Sequence, residues 1–412
     1  MKPGSGALEK RKPRLLVLNQ YYAPGVEATA QLLHQICVAL AEDFTVTVVT
    51  GRLGAVGAET GAFVEDGVTV IRVRSTAFER RRLPLRALNY LTYFAMSGSA
   101  ALRRARPDAV LCMTDPPFIA NLGLLVARAH RVPLVVISQD VFPEVAVELG
   151  RLENPFVVWL LRRMIDYYLR RADRVVAIGE TMRKRLNAKG ARADRLRVIP
   201  NWVDTTALTP LARRNAWSGA HGLDDRFVVM HSGNIGHAQN LDALIRAGTF
   251  LRELDRLAIV LIGGGARRDE LTALAARLDV SSVEFLPYQP RELLSESLSS
   301  ADVHVVGLAH GLSGYVVPSR LYGILAVGRP VIVAADAESE TAQVVEAVGC
   351  GIVVPPNDPT EVARVIRAAY EGELPLDEMG KRAREYVVRE GDRLVAVQRY
   401  RALLRELVGG AA

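Results

Sequence analysis

One stretch of this 412-residue sequence combines residue types that suit the binding of a phosphate or a sugar. Gly233-Asn234-Ile235-Gly236 follows an apolar run and precedes a helical pattern, and Gln239 lies just beyond it. Glycine lets the backbone approach a ligand closely, and a helix start leaves N–H groups free for an oxyanion. A helix dipole contributes only about 0.3–1 kcal/mol, whereas each charge-assisted hydrogen bond contributes roughly 1.5–3 kcal/mol. A diphosphate held here would therefore need a cation from elsewhere in the chain.

A candidate for that cation lies in a second glycine-rich stretch, residues 311–323. Ser319 is predicted to cap a helix there, which places Arg320 in its first turn. A cation in a first turn opposes the helix dipole, so a functional anion nearby would explain the placement. A solvated surface arginine is the alternative interpretation.

Three further positions carry weaker signals of the same kind. Gly25 follows the first apolar run, where it suits an oxyanion or forms a plain strand-to-helix turn. Gly264 is the middle of three consecutive glycines, which allow close ligand approach or a crowded helix–strand contact. Glu340 begins a predicted helix, where it could bind ribose hydroxyls or stabilise that helix.

Two carboxylates follow a buried run in the first half of the chain. Asp140 and Glu144 come at its carboxyl end, the edge at which parallel sheets face a ligand. Both are candidates for orienting the hydroxyl of an acceptor molecule. Asp140 could instead cap the turn in which it lies.

Composition and spacing exclude several other chemistries. The histidines and three separated cysteines form neither H-E-x-x-H nor a Cys/His quartet, so no metal site and no cofactor are predicted. Neither G-x-x-x-x-G-K-[ST] nor G-x-S-x-G occurs. Aromatic residues make up only 6%, which argues against a nucleic-acid surface, while a net charge of +7 favours anionic partners.

Short β-branched runs alternate with helical patterns along the whole chain, which predicts parallel sheets covered by helices. The strands predicted in the first half are Leu15–Asn19, Thr45–Thr50, Val68–Val73, Ala109–Cys112, Leu134–Gln139, Arg174–Ile178 and Leu196–Ile199. Those predicted in the second half are Val228–His231, Ala258–Ile262, Val283–Leu286, Val303–Val306, Val331–Ala334 and Ile352–Val354.

The sequence therefore predicts an α/β protein with two doubly wound, Rossmann-like domains in series and a ligand cleft between them. We place the acceptor-binding domain at 1–205 and the nucleotide-sugar-binding domain at 206–385. The remaining residues, 386–412, are expected to form a helix that packs back on the first domain.

Six motifs occur in an order that covers nearly the whole chain. They are Ile199–Asp204, Ser232–Gly236, Leu261–Gly265, Val283–Pro287, Val317–Arg320 and Gly328–Val331. In this order they resemble the retaining glycosyltransferases of family 4, which have the GT-B fold. The likeness is greatest to the branch that acts in bacterial surface-polysaccharide assembly, with fucosamine- and colanic-acid-type transferases. The resemblance also assigns Leu286 to the donor site.

The sequence departs from the wider family at four positions. The family has two glutamates separated by seven residues where this chain has Tyr315 and Gly323. It has Arg and Lys where this chain has Asn234 and Gln239. Since the closer branch shares such changes, we expect a rearranged site in which Arg320 supplies the cation and Glu340 the carboxylate near the nucleotide.

The resemblance implies a hexosyltransferase-type enzyme that moves a sugar, with retention and without a metal, from a nucleotide diphosphate. UDP is the expected nucleotide, and a lipid-linked saccharide or a polysaccharide is the expected acceptor. Two alternatives remain open: a GT-B-type UDP-sugar epimerase, which needs no acceptor, and a non-catalytic homologue that only binds nucleotide sugar.

Basic residues flank an uncharged, tyrosine-bearing stretch within 80–106, and 156–163 is similar. Such segments suit an anionic membrane surface, or they are ordinary helices with solvated arginines. No apolar run is long enough to span a bilayer. We therefore expect a cytoplasmic protein that binds peripherally to the inner face of the cell membrane.

Overall fold

Two predominantly parallel β-sheets follow each other along the chain in the computed structural model, which describes residues 11–24, 28–52, 60–76, 78 and 83–409. The first sheet contains β1 (Arg14–Leu18), β2 (Thr45–Thr50), β3 (Gly61–Glu65), β4 (Val68–Arg72), β5 (Ala109–Met113), β6 (Leu134–Ser138), β7 (Arg174–Ala177) and β8 (Leu196–Val198). The second contains β9 (Phe227–Ser232), β10 (Leu257–Ile262), β11 (Val283–Leu286), β12 (Val303–Gly307), β13 (Val331–Ala334) and β14 (Gly351–Val354). Every strand predicted from the sequence is confirmed, with ends that differ by at most one residue.

Helices connect and cover these strands. They are α1 (Ala28–Leu40), α2 (Leu83–Leu102), α3 (Ile119–His130), α4 (Glu144–Glu148), α5 (Pro155–Leu169), α6 (Glu180–Ala188), α7 (Ala216–Ala220), α8 (Asp242–Ala247), α9 (Arg268–Arg277), α10 (Leu294–Ser299), α11 (Arg320–Ala326), α12 (Glu340–Val348), α13 (Pro359–Tyr370), α14 (Leu376–Glu390) and α15 (Arg393–Gly409). Because helices lie on both faces of each sheet, the central strands are apolar throughout, and β10 is buried at every position.

The first sheet has the order β3-β4-β2-β1-β5-β6-β7-β8. All its neighbours are parallel except β3, which pairs with β4 in an antiparallel hairpin. The strand β3 was not predicted from the sequence because most of its residues are exposed at the sheet edge and it lacks an apolar alternation. The turn does carry a signal, since Asp66 and Gly67 both have positive φ and Asp-Gly is typical of a two-residue hairpin turn.

The second sheet has the order β11-β10-β9-β12-β13-β14 and is entirely parallel. Its strand order reverses between β9 and β12, and ligands of open α/β sheets bind in the crevice at such a switch point. The predicted fold class is therefore confirmed in both halves of the chain.

The last helix, α15, packs on the first sheet and not on the second. Tyr400 and Leu404 are fully buried in the apolar core around α1 and β1, and the Tyr400 ring meets Trp202 edge to face. Arg401 adds ion pairs with Glu42 and Asp43. By contrast, α14 packs on α11 and α12 beside the second sheet.

Loops at the carboxyl ends of the two sheets meet between the domains. The backbone N–H of Val141 donates to the Tyr315 carbonyl oxygen over 2.9 Å, and Asp140 forms a β-bridge with Val316. Val317 packs into the core of the first domain. The facing loops therefore bring the candidate residues of both halves to one cleft.

Within the described residues, no helix combines the length and the apolar character that crossing a bilayer requires.

Candidate functional site

Arg320 lies at the carboxyl edge of the second sheet, beside the switch point. The loop 233–236 leaves the end of β9 there, and α11 begins with Arg320, as the sequence predicts. Ser319 occupies the position before the helix, but its hydroxyl makes no capping hydrogen bond. The cation and the glycine-bearing loop that the sequence analysis paired are thus neighbours in space.

The guanidinium of Arg320 has polar partners but no carboxylate partner. It donates to Nε2 of His231 and, over 3.2 Å, to the carbonyl oxygen of Asn234. No Asp or Glu among the residues that the structure describes forms a salt bridge with it. Burial lowers the pKa of Arg320 to about 10, so the side chain stays charged at neutral pH. An uncompensated cation in this position is suited to bind an anion.

The glycines around Arg320 allow two loops to interlock. Gly233 has φ +131°, and a Cβ there would lie 3.3 Å from the guanidinium carbon of Arg320. A Cβ on Gly263 would lie 2.0 Å from the Gly233 carbonyl oxygen, and one on Gly265 would lie 2.3 Å from that of Ile235. Close contact between the two loops therefore explains why glycine occupies both positions next to Gly264.

Asn234, Gly236 and Gln239 hold the shape of their own loop. The Gln239 side-chain oxygen accepts from the Gly236 backbone N–H over 2.9 Å and from the Asn234 amide over 3.2 Å. A Cβ on Gly236 would lie 2.7 Å from the Asn234 amide nitrogen. These contacts fix the backbone on which the Arg320 side chain rests.

An aromatic residue that was not predicted from the sequence lies at the rim of this site. Tyr288 is exposed, and its hydroxyl donates to the Gly264 carbonyl oxygen over 3.2 Å. A Cβ on Gly264 would lie 3.4 Å from the Tyr288 ring. The signal was its place two residues after the half-buried Leu286, which ends β11.

Asp140 lies in the interdomain cleft, next to the bridge with Val316. Its side chain reaches solvent, and no donor among the described residues hydrogen-bonds to its carboxylate. The protein around the cleft removes much of its hydration, which raises the pKa of Asp140 to about 6. Asp140 is therefore free to meet a ligand that enters the cleft.

Glu144 is not free in the same way. Both of its carboxylate oxygens accept from Lys189 Nζ over 2.8 Å, and Arg162 adds a contact of 3.1 Å. This pairing holds the first turn of α4 against neighbouring helices of the first domain. Of the two carboxylates that the sequence singled out, Asp140 is the one without a cationic partner in the described part of the chain.

Glu340 connects the two domains. Its Oε2 accepts from both the backbone N–H and the hydroxyl of Thr181, each over 2.8 Å. Thr181 lies in the first turn of α6, and a Cβ on Gly179 would lie only 2.5 Å from the Glu340 carboxyl carbon. The assignment of Glu340 to the nucleotide stays a prediction, and the contact seen is with the other domain.

Tyr315 and Gly323, where the wider family has glutamates, have apolar or cationic surroundings. The Arg185 guanidinium carbon lies 4.6 Å from the Tyr315 ring centroid, across the domain interface. Gly323 lies inside α11 near Leu298 and Leu208.

Gly25 lies outside the described residues. Within the described part of the chain, no group of three His, Cys, Asp or Glu side chains is arranged to hold a metal ion.

Two family models match this chain in succession. Residues 6–202 match the model described as a glycosyl transferase 4-like domain, and residues 213–386 match the model described as glycosyl transferases group 1. The boundary between the two matches falls in the connection between the two sheets.

Two curated proteins are similar over most of their length. WbjE of Pseudomonas aeruginosa, a probable glycosyltransferase by name, is 26% identical over 404 residues, which are 96% of this chain and 98% of WbjE. WcaI of Escherichia coli K12, by name a colanic acid biosynthesis glycosyl transferase, is 28% identical over 319 residues, 75% of this chain and 77% of WcaI.

Solved structures share the fold over almost the whole chain. HepE of Anabaena, crystallised with UDP and glucose, has a TM-score of 0.74 at 17% identity, over 96% of this chain and 100% of HepE. WaaG, described as a glycosyltransferase involved in lipopolysaccharide biosynthesis, has a TM-score of 0.70 at 16% identity, with coverages of 96% and 100%. With its two facing parallel-sheet domains, the chain belongs to the GT-B glycosyltransferases that join a glycosyl transferase 4-like domain to a group 1 domain.

Proposed function

We propose that this glycosyltransferase moves a sugar from a UDP-sugar to a lipid-linked saccharide, with retention of configuration. The observation that carries the donor assignment is the charge of Arg320 at the switch point of a nucleotide-type sheet, where no described Asp or Glu pairs with it. The crystallisation of HepE with UDP and glucose supports the same donor class. The names of WcaI and WaaG support a role in surface-polysaccharide assembly.

In this mechanism the cation acts on the leaving group. Negative charge grows on the departing diphosphate as the bond to the sugar breaks, and Arg320 is held where it would stabilise that charge. Closure of the two domains would exclude water, because hydrolysis of the donor competes with transfer.

On the opposite side of the cleft, Asp140 would orient the acceptor hydroxyl. Its carboxylate has no hydrogen-bond donor among the described residues and lies beside the loop that leads to Arg320. An ionised carboxylate can accept a hydrogen bond from the acceptor and hold its oxygen toward the sugar. Glu144, paired with Lys189, is the less suitable group for this role.

Apolar surface on the first domain supports a lipid-associated acceptor. The first turns of α5 expose Phe156 and Trp159, with 67% and 55% of their surface accessible. The neighbouring helices add Leu125 on α3 and Leu91 on α2. These exposed apolar side chains lie on three helices that pack side by side, which makes this face of the first domain a candidate for contact with lipid.

Exposed arginines lie on or next to the same helices and suit an anionic lipid surface. Arg163 lies on α5, and Arg103, Arg104 and Arg106 follow the end of α2. The basic residues 80–82 of the predicted segment 80–106 lie outside the described residues. Exposed apolar side chains accompanied by basic residues favour the headgroup region of an anionic bilayer.

The donor assignment can be tested by ligand binding. UDP, UDP-glucose, UDP-galactose and UDP-N-acetylglucosamine are compared by thermal unfolding, since a ligand at 100 times its Kd stabilises by about 2.7 kcal/mol. Arg320→Ala should weaken UDP binding roughly ten- to hundredfold, the contribution of a hydrogen bond to a charged group. Arg277→Ala, at an exposed arginine of α9, is the matched control.

Turnover separates transfer from the alternatives. Release of UDP that depends on added lipid-linked saccharide, with a product of retained anomeric configuration by NMR, is the expected result. The epimerase alternative is not favoured, because the matching families and relatives are glycosyltransferases. Nucleotide binding without turnover over a broad acceptor panel would instead support a non-catalytic role.

A further inference from the structure

His231 is a buried histidine to which the proposed mechanism assigns no role. It lies near the end of β9, fully enclosed, where most of its surroundings are apolar strands. Its ring is in contact with the guanidinium of Arg320, 89 positions further along the chain. Burial and the adjacent cation lower the pKa of His231 well below its ordinary value, so the ring is neutral at physiological pH.

The partners of the neutral ring identify its tautomer. Nδ1 lies 3.2 Å from the carbonyl oxygen of Val305 on β12, which only accepts, so Nδ1 carries the hydrogen. Nε2 faces the Arg320 guanidinium, which only donates, and therefore presents its lone pair. Nε2 also lies 3.4 Å from the Asn234 carbonyl oxygen, but a neutral ring has no second hydrogen to donate there.

A neutral acceptor can orient the Arg320 guanidinium without cancelling its charge, whereas a carboxylate would cancel it. Arginines in protein interiors are commonly paired with Asp or Glu, which fixes them but cancels their charge. Here Arg320 is fixed by His231 and by the Asn234 carbonyl oxygen, two groups without charge. The guanidinium is thus held in one direction with its full positive charge.

We propose that His231 is a positioning residue for Arg320: it orients the guanidinium toward the donor diphosphate without neutralising it. This inference rests on the proposed function, because it takes the diphosphate as the anion that Arg320 binds. Val305 acts indirectly, because its carbonyl oxygen fixes the His231 tautomer in which Nε2 is free to accept a hydrogen bond.

The test compares UDP with UMP, because UMP lacks the terminal phosphate and a general loss of structure would affect both. His231→Phe keeps a ring but removes the acceptor, and should weaken UDP binding on the order of tenfold while UMP binding stays unchanged. In an Arg320→Ala background, the same substitution should cause no further loss of UDP affinity. Isothermal calorimetry of all four proteins gives the comparison.

Two further variants keep the test valid if His231→Phe does not fold. His231→Gln retains a neutral acceptor and should keep UDP affinity within about threefold of the unmodified protein. His231→Glu would hold Arg320 but cancel its charge, and should lose UDP affinity. Equal loss of UDP and UMP binding, an additive loss with Arg320→Ala, or full UDP affinity in His231→Glu would overturn this inference alone. Failure of the unmodified protein to bind UDP would overturn the proposed function and this inference with it.

Discussion

At the residue scale, Asp140 combines a raised pKa with a side chain that is accessible to solvent. A carboxylate normally ionises well below neutral pH, but the protein around the cleft raises the pKa of Asp140 from 3.8 to about 6. The folded protein therefore holds this proton more tightly than the unfolded chain does. Folding is relatively favoured at low pH, and the disadvantage of the ionised group grows from pH 3.8 upward and is complete above about 6.

Asp140→Asn tests both consequences of this acidity. If ionised Asp140 orients the acceptor, kcat/KM of the unmodified enzyme should fall as the pH drops through about 6. The variant should be roughly ten- to hundredfold less active above that pH and should lack this inflection. Its melting temperature should equal or exceed that of the unmodified protein above pH 6 and converge with it in acid. A variant that kept full activity, or that melted lower at high pH, would contradict this role.

Two buried tyrosines differ in whether the hydroxyl group has a hydrogen-bond partner. The hydroxyl of Tyr93 donates to the Val49 carbonyl oxygen over 2.9 Å, whereas the buried hydroxyl of Tyr400 has no partner among the described residues. Tyr93→Phe should lower the free energy of unfolding by about 1 kcal/mol, and Tyr400→Phe should raise it by a similar amount. Urea denaturation at matched conditions measures both, and equal losses would mean that the Tyr400 hydroxyl is hydrogen-bonded.

At the element scale, α6 depends on the other domain for its N-terminal cap. Gly179 precedes the helix without a side chain to cap it, and Glu340 of α12 supplies the acceptor for Thr181. A side chain at 179 would be tolerated by the backbone, which is extended, but would collide with Glu340. The contact thus links domain orientation to the start of a helix.

Gly179→Ala should therefore destabilise the protein through this contact alone. We expect a loss of about 1–3 kcal/mol in the free energy of unfolding, as for other overpacked sites. In a Glu340→Ala background, where the space is free, the same substitution should have little effect. Thermal and urea unfolding of the four proteins form the cycle, and an equal loss in both backgrounds would refute the coupling.

At the scale of the whole molecule, the two faces of the first domain differ. One face is covered by α1 and α15, and the other by α2, α3 and α5, whose outer surfaces expose apolar side chains. In the proposed function, the lipid of the acceptor contacts the first domain, while the donor binds in the second domain.

Vesicle flotation tests this orientation. The protein should float with phosphatidylglycerol vesicles at low salt and bind less at high salt, since exposed arginines lie on or next to these helices. Replacing Trp159 and Leu160 together by serine should reduce binding severalfold without lowering UDP affinity. Leu394→Ser on α15, also exposed but on the opposite face, is the control. Equal flotation of the double variant and the unmodified protein would exclude α5 as the contact.

The sequence alone determined the strands, the two-domain order and the place of Arg320 in the first turn of α11. These features depend on local patterns, because buried parallel strands require continuous apolar runs and glycines mark the turns after them. It missed β3, because an exposed edge strand requires no apolar pattern.

Only the tertiary structure decided which polar groups are free. Glu144 and Asp140 look alike in sequence, but Glu144 meets Lys189, 45 positions away, and Glu340 meets Thr181, 159 positions away. His231 reads as one more residue of an apolar strand until the fold brings Arg320 against it. The physical reason is that charge pairing and burial depend on long-range neighbours, which periodicity does not encode, whereas strand formation depends on residues adjacent in the chain.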